Sequence, residues 1–179
     1  MLETVNCLQG CCQLKFVPYQ PSSQPFIVVK RSRKKAGIFI TEPEGKILLV
    51  QSKGNLWGCP KGTMKSSETD FECAIREVKE ETGISVDPEA LKDSPRFNNY
   101  RTKATYFHMV LPYQAVEVQT QIPDNDANGI GWIRLSCLRE LIQQRALSIN
   151  QHCRMVIERF LGVVVRTDRE DIGESLGFF

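Results

Sequence analysis

No stretch of this 179-residue chain approaches the roughly 18 consecutive apolar residues that a membrane-spanning helix needs. Its N-terminus lacks the apolar core of a secretory signal. No membrane partner is therefore expected, and an intracellular, cytoplasmic chain is the working expectation. Histidine is scarce: His108 and His152 are the two present, and neither has a recognisable nucleophile beside it. The seven cysteines (Cys7, Cys11, Cys12, Cys59, Cys73, Cys137, Cys153) are odd in number and scattered, which argues against a disulfide framework. Cys7-x3-Cys11-Cys12 lacks the second cysteine or histidine pair that structural zinc usually takes, so no zinc site is expected and core packing is the reading for the thiols. A net charge of +2 is too small to argue for any partner. Internal repeats are absent. An apolar content of 41% with 25% charged residues describes an ordinary globular chain, long enough for one domain with a sizeable core.

What the chain does have is an acidic segment from Gly62 to Ile84. Six carboxylates (Glu68, Asp70, Glu72, Glu77, Glu80, Glu81) fall within 14 residues. Thr69 with Glu72 three residues on fits a capping box, Phe71, Ala74, Ile75 and Val78 form an apolar stripe at helical spacing, and Gly83 suits the C′ position. Glu77, Glu80 and Glu81 then share one helix face bordering that stripe, Glu81 nearest to it. Like charges so spaced destabilise a helix unless a cation lies between them. Oxygen donors without His or Cys favour Mg²⁺ or Mn²⁺. Such an ion keeps sites for substrate phosphates and can lower the pKa of a bound water. Arg76, beside this face, is suited to hold a carboxylate bidentately, with Glu68 as its partner.

Around this helix the pattern predicts strands at Cys12–Val17, Phe26–Val29, Ala36–Thr41 and Lys46–Gln51, the last two forming a hairpin turned by 42–45. Leu56–Gly62 is too rich in Gly and Pro to be regular. A short strand and turn follow Ile84. Ala104–Leu111 reads as a strand paired with another at Ala115–Gln119, then Ile130–Leu135 as a strand. Helices are expected from Ser136 to about Gln144 and from Ile149 to Val164. Strands on both sides of the central helix predict an α/β fold with a mixed sheet between helices. Residues 1–35 are read as N-terminal strands and a basic segment, part of or appended to a domain over 36–166, with a loose tail at 167–179. Lys30 to Lys35 (KRSRKK) carries five positive charges in six residues and reads as a solvated edge, a phosphate-contacting patch or a localisation signal.

The acidic segment resembles the Nudix box, G-x5-E-x7-R-E-U-x-E-E-x-G-U with U aliphatic. Gly62, Glu68, Arg76-Glu77-Val78, Glu80-Glu81, Gly83 and Ile84 match it without departure. The resemblance implies the Nudix α/β/α sandwich and hydrolysis of a nucleoside diphosphate linked to another moiety. It also implies a divalent ion held by Glu77, Glu80 and Glu81, with the Lys61 carbonyl as a further ligand, and supporting roles for Gly62, Glu68 and Arg76.

The flanks resemble the mRNA-decapping branch of that family. Trp57-Gly58-Cys59-Pro60-Lys61-Gly62 is similar to its W-x-x-P-K-G run, with Cys59 where Phe is usual. Asn125-Asp126-Ala127-Asn128-Gly129-Ile130-Gly131-Trp132 is similar to its N-E-I-x-x-I-x-W pattern, with Asp126 at the general-base position. Asp124 and Glu81 remain alternative bases, and Glu77 joins the catalytic set. Capped RNA is then the implied partner, with Lys30, Arg31, Arg33, Lys34, Lys35, Trp57, Lys61 and Arg154 as contacts, helped by Arg145 and Arg159. The chain's size suits the compact decapping enzymes of large DNA viruses. The alternatives are dinucleoside-polyphosphate or diphosphoinositol-polyphosphate hydrolysis, or a non-catalytic Nudix-like module. Trp57, Tyr100, Tyr106 and Phe107 are the aromatic candidates for stacking a base.

Overall fold

The computed structural model describes residues 1–19, 33–52, 54–122 and 125–165. Among the described residues ten strands join one mixed sheet: β1 (Glu3–Asn6), β2 (Gln13–Phe16), β3 (Lys35–Thr41), β4 (Lys46–Ser52), β5 (Leu56–Gly58), β6 (Lys61–Thr63), β7 (Arg96–Asn99), β8 (Ala104–Val110), β9 (Ala127–Arg134) and β10 (Ser148–Ile149). Among the same residues four helices accompany them: α1 (Asp70–Thr82), α2 (Pro88–Lys92), α3 (Leu135–Gln143) and α4 (Gln151–Leu161). The main strand order is β1-β2-β9-β4-β3-β8-β7, with β5, β6 and β10 attached to it. The β3–β8 and β5–β10 pairs are parallel and the others antiparallel.

Strands β3 and β4 are buried on both faces, which is why their sequences read as continuous apolar runs. Side chains alternate between two cores. Ile38, Ile40, Leu48 and Val50 meet Ala74 and Val78 of α1 on one face. Phe39, Ile47 and Leu49 meet Leu138, Leu141, Val156 and Ile157 of α3 and α4 on the other. The result is the expected α/β/α sandwich. The N-terminal hairpin is part of the same sheet, since β2 pairs with β9 from Gln13↔Trp132 to Phe16↔Gly129.

The signals at the ends of α1 are realised. Thr69 accepts from the Glu72 N–H, the Glu72 carboxylate answers at the Thr69 N–H (2.9 Å), and Gly83 closes the helix at φ 75°. The buried face turns toward Cys73, Ala74 and Val78, leaving Phe71 and Ile75 half-buried.

Several expectations are corrected. Residues 115–119 form no strand, because β3 and β7 already occupy both edges of β8. Val116 and Val118 instead pack on the α1 core, and Gln114 gives its carbonyl to the Trp132 indole N–H (2.9 Å). The segment after Ile84 contains α2, started by Asp87 as N-cap with Pro88 at its first position. Leu56–Gly62 is not irregular, since β5 and β6 dock its two ends on β4 and β3. Helix α3 begins at Leu135 without a side-chain cap rather than at Ser136. Asn150 caps α4 through the Cys153 N–H, and Gly162 ends it at φ 65°, so Ile149 belongs to β10. The expected strand at Phe26–Val29 and the tail at 167–179 lie outside the described residues.

Candidate metal and phosphate site

The β5–β6 corner, the second half of α1 and the loop before β9 meet around a cleft of about 380 Å³, lined among others by Lys35, Lys61, Gly62, Arg76, Glu77, Glu80 and Asp126. The pairing of β6 with β3 brings Lys61 opposite Gly37 and Gly62 opposite Ala36, and α1 packs across these strands. The site is thus assembled by the sheet, not by the helix alone.

Glu81 points inward and is 3% exposed. The Lys61 backbone N–H donates to its Oε2 (2.8 Å) and the Ser52 hydroxyl to its Oε1 (3.4 Å). Burial pushes its pKa up to about 8; Lys61 opposes this, while Glu77 and Asp126 add to it. Burial likewise raises Glu77, with Arg76 opposing and Glu80 and Asp126 adding. Buried acids that repel one another are costly in low dielectric, and a cation among them would relieve that cost. An all-oxygen donor set with room beside it fits a hard divalent ion. Glu77 and Glu80, which line the cleft, and the buried Glu81 behind Lys61 are the candidate donors for it.

Gly62 is required by close approach. A Cβ there would overlap the Glu77 carboxyl group, so any side chain would push a candidate ligand out of place.

Arg76 organises the acids from the other side. Its Nε and Nη2 grip Glu68 bidentately (2.5 and 2.9 Å). Its Nη1 donates to both Glu77 (2.7 Å) and Glu80 (2.9 Å), and Nη2 also reaches the Thr63 carbonyl (3.2 Å). The Arg76 hydrogen bonds are the main cause holding Glu68 down to about 2, and Glu68 in turn raises Arg76. The pairing expected from sequence is therefore present, and wider than expected.

Among the basic candidates, Lys35 is half-buried in β3 and lines the cleft with Lys61. Burial lowers its pKa, as does Lys61, while Asp126 and Glu77 raise it. Arg33 and Lys34 are exposed at the mouth of β3. Lys30, Arg31 and Asp124 lie outside the described residues. Arg154 is half-buried on α4 and is not among the residues lining the cleft. Trp57 requires correction as a substrate contact: it is 2% exposed and meets Phe16 edge-on at 6.4 Å, so its indole offers no open face to a base. Tyr106 and Phe107 are also core, whereas Tyr100 is 86% exposed.

A second cavity of about 560 Å³ lies alongside, sharing Lys35 and bounded by Lys34, Glu68, Arg96, Asn98, Tyr100 and Lys103. Arg96, Asn98, Asn99 and Lys103 come from β7 and the turn after it. They escape sequence reasoning because β7 carries no strand pattern of its own; the exposed Tyr100 between them is the one available signal.

Comparison with known proteins gives the same answer as the geometry. The NUDIX domain profile matches residues 31–153. A protein of Invertebrate iridescent virus 3, designated 111R and named as a hydrolase, is 32% identical over 144 residues, covering 79% of this chain and 83% of that protein. The mRNA-decapping protein g5R of African swine fever virus (isolate Pig/Kenya/KEN-50/1950) is 32% identical over 117 residues, 57% of this chain and 48% of g5R. The chain thus spans about half the length of that relative. Among solved structures, the bifunctional NMN adenylyltransferase/ADP ribose pyrophosphatase of Francisella tularensis, complexed with AMP and a Mn ion, superposes with a TM-score of 0.56 at 20% identity. That match covers 78% of this chain and 43% of the other, and at this identity it speaks for the fold alone. The matched span contains the Gly62–Ile84 box and strands β3 to β9 around it. The chain belongs to the Nudix family of pyrophosphohydrolases.

Proposed function

We propose that this chain is a metal-dependent decapping enzyme, hydrolysing the pyrophosphate linkage of the mRNA 5′ cap to release m7GDP and RNA with a 5′-monophosphate. The observation that carries this reading is the pair of adjoining cavities. The smaller is lined by the carboxylates Glu77, Glu80 and Asp126, and the larger is rimmed by Lys34, Arg96 and Lys103 with the exposed Tyr100 ring beside them. Such a rim suits a nucleotide, with cations for phosphates and an aromatic face for a base. Two matched relatives are named as decapping proteins, g5R and the mRNA-decapping enzyme subunit 2 of Arabidopsis thaliana, the latter 30% identical over 103 residues but over only 28% of its own length.

Glu77, Glu80 and Glu81 would hold Mg²⁺ or Mn²⁺, with the Lys61 carbonyl as a further donor. When bound, the ion neutralises phosphate charge and makes water more acidic. Arg76 fixes the rotamers of Glu77 and Glu80, and the Lys61 N–H fixes Glu81. Lys35 and Lys61 line the cleft where phosphate oxygens would sit. Asp126, exposed on the same cleft, takes the proton of the attacking water in this reading. Glu81 is the less accessible base, since it is buried with both oxygens already engaged.

The test is a side-by-side panel of capped RNA, free cap dinucleotide, diadenosine tetraphosphate and a diphosphoinositol phosphate. Release of m7GDP from capped RNA, with little from free cap, is expected. Preference for diadenosine tetraphosphate or the inositol substrate would overturn the decapping reading while leaving the family intact.

A further inference from the structure

Outside the carboxylate cleft, on the α3 side of the sheet, the fold gathers four thiols that the proposed chemistry does not use. Cys7, Cys11 and Cys12 come from the β1–β2 turn and Cys137 from the first turn of α3, and their sulfurs all lie within 4.8 Å of one another. We propose that these four cysteines form a tetrathiolate site for one zinc ion. Sequence spacing argues against such a site only because its fourth ligand is remote in the chain; the pairing of β2 with β9, which leads directly into α3, closes that gap.

Three of the six sulfur–sulfur distances are close to those around a single tetrahedral ion, and the other three lie within 4.8 Å. Cys11 Sγ stands 3.6 Å from Cys7 Sγ, 3.6 Å from Cys12 Sγ and 3.5 Å from Cys137 Sγ. A Zn–S bond of about 2.3 Å places tetrahedral sulfurs about 3.8 Å apart. A disulfide would need about 2.05 Å, and all seven cysteines are free thiols. The cysteines Cys59 and Cys153 form a simple pair in the core (4.0 Å), which shows by contrast how unusual a four-sulfur cluster is in this chain.

The surroundings are those a thiolate group requires. The Cys12 N–H donates to Cys7 Sγ and the Arg134 N–H to Cys12 Sγ, both at 3.3 Å. Such outer hydrogen bonds orient ligands and stabilise their charge. The turn is preformed: the Gly10 N–H donates to the Cys7 carbonyl (3.0 Å), the Cys7 N–H to the Cys12 carbonyl (3.1 Å), and Gly10 takes φ +67°. Helix α3 starts without a side-chain cap and without an acid in its first turn, so its positive end favours negative sulfur there. Cys7, Cys12 and Cys137 are buried, while Cys11 is open to solvent, which provides an entry path. On binding, the zinc ion displaces four thiol protons to solvent and no redox step is involved.

The site would do structural work. Strand β1 is almost wholly exposed, and a two-stranded edge hairpin is marginal by itself. A zinc ion there would staple the hairpin, which ends the strand order among the described residues, to α3.

The full chain, expressed with zinc supplied and purified without chelator, should carry about one zinc per molecule by plasma mass spectrometry. Cys7→Ser and Cys137→Ser should each lose it, whereas Cys153→Ala should keep it. Because the serine variants could unfold, the unaltered chain gives an independent readout. After acid removal of metal and refolding with Co²⁺, it should show the intense sulfur-to-cobalt charge-transfer and visible bands of a tetrahedral tetrathiolate. Chelation of zinc should lower the melting temperature and expose residues 3–16 to amide exchange. Absence of zinc with no tetrathiolate cobalt spectrum, iron in its place, or a Cys7, Cys11, Cys12 or Cys137 disulfide by mass spectrometry would each overturn the proposal.

Discussion

Gly62→Ala is the most informative single change, because it adds one methyl group and removes no functional atom. The new Cβ would overlap the carboxyl group of Glu77. Carbon contacts are optimal near 3.5–4.0 Å, so that carboxyl must retreat by about 1 Å or more. Its hydrogen bond from Arg76 Nη1 (2.7 Å) would lengthen with it, and the proposed ligand would leave its position. A misplacement of about 1 Å at a reacting centre costs on the order of 10²-fold in rate. The loss should appear in kcat at saturating substrate and be accompanied by a higher metal requirement. Stability should change little, since Glu77 lies at the cleft and Glu68 keeps its own grip on Arg76. The assay is steady-state hydrolysis over a Mg²⁺ and Mn²⁺ titration, paired with thermal melting. Wild-type kcat and metal dependence in Gly62→Ala would refute the claim that Glu77 must sit against this backbone.

Arg76→Lys keeps the charge but loses the fork that serves Glu68, Glu77 and Glu80; it should cost about 2 kcal/mol, a fall in melting temperature of roughly 4–8 °C, and an unchanged melt would contradict the network. Glu68 has its folded pKa held near 2 by Arg76, below the unfolded value of about 4.3. Its contribution, on the order of 2–3 kcal/mol, is therefore present above the unfolded pKa and lost as pH falls toward 2; Glu68→Gln should flatten the stability-versus-pH curve in that window. Asp126→Asn should lower kcat by about 10²-fold or more at constant metal affinity, and if it does not, the base moves to Glu81 or Asp124. Saturating Mg²⁺ or Mn²⁺, at about 100 times its Kd, should stabilise the fold by about 2.7 kcal/mol, readable as a rise in melting temperature that Glu80→Gln diminishes.

The parts of the fold that depend on local chemistry were legible in the sequence. Thr69, Glu72 and Gly83 mark the ends of α1, the 42–45 turn marks the β3–β4 hairpin, and the spacing of Glu77, Glu80 and Glu81 already puts three acids on one face. The parts that depend on what is already paired were not. Residues 115–119 alternate like a strand, but β8 has no free edge to offer them. Strand β7 has no apolar alternation, and forms because β8 pairs with it from Arg96↔Phe107 to Asn99↔Ala104. Trp57 sits beside the box in sequence yet faces the core, because β5 is held between β4 and β10. The same limit hid the Cys7, Cys11, Cys12 and Cys137 cluster, whose ligands meet only through the sheet. No helix among the described residues is long and apolar enough to cross a membrane.

The central claim is that the carboxylates of α1 work on a pyrophosphate through a divalent ion. Its most direct test is single-turnover hydrolysis of cap-labelled RNA by the full chain and by Glu81→Gln, each across a Mg²⁺ and Mn²⁺ titration. The account predicts metal-dependent release of m7GDP by the full chain and a rate lower by several orders of magnitude in Glu81→Gln. Cleavage by Glu81→Gln at the rate of the full chain, or cleavage that persists in the presence of EDTA, would contradict it.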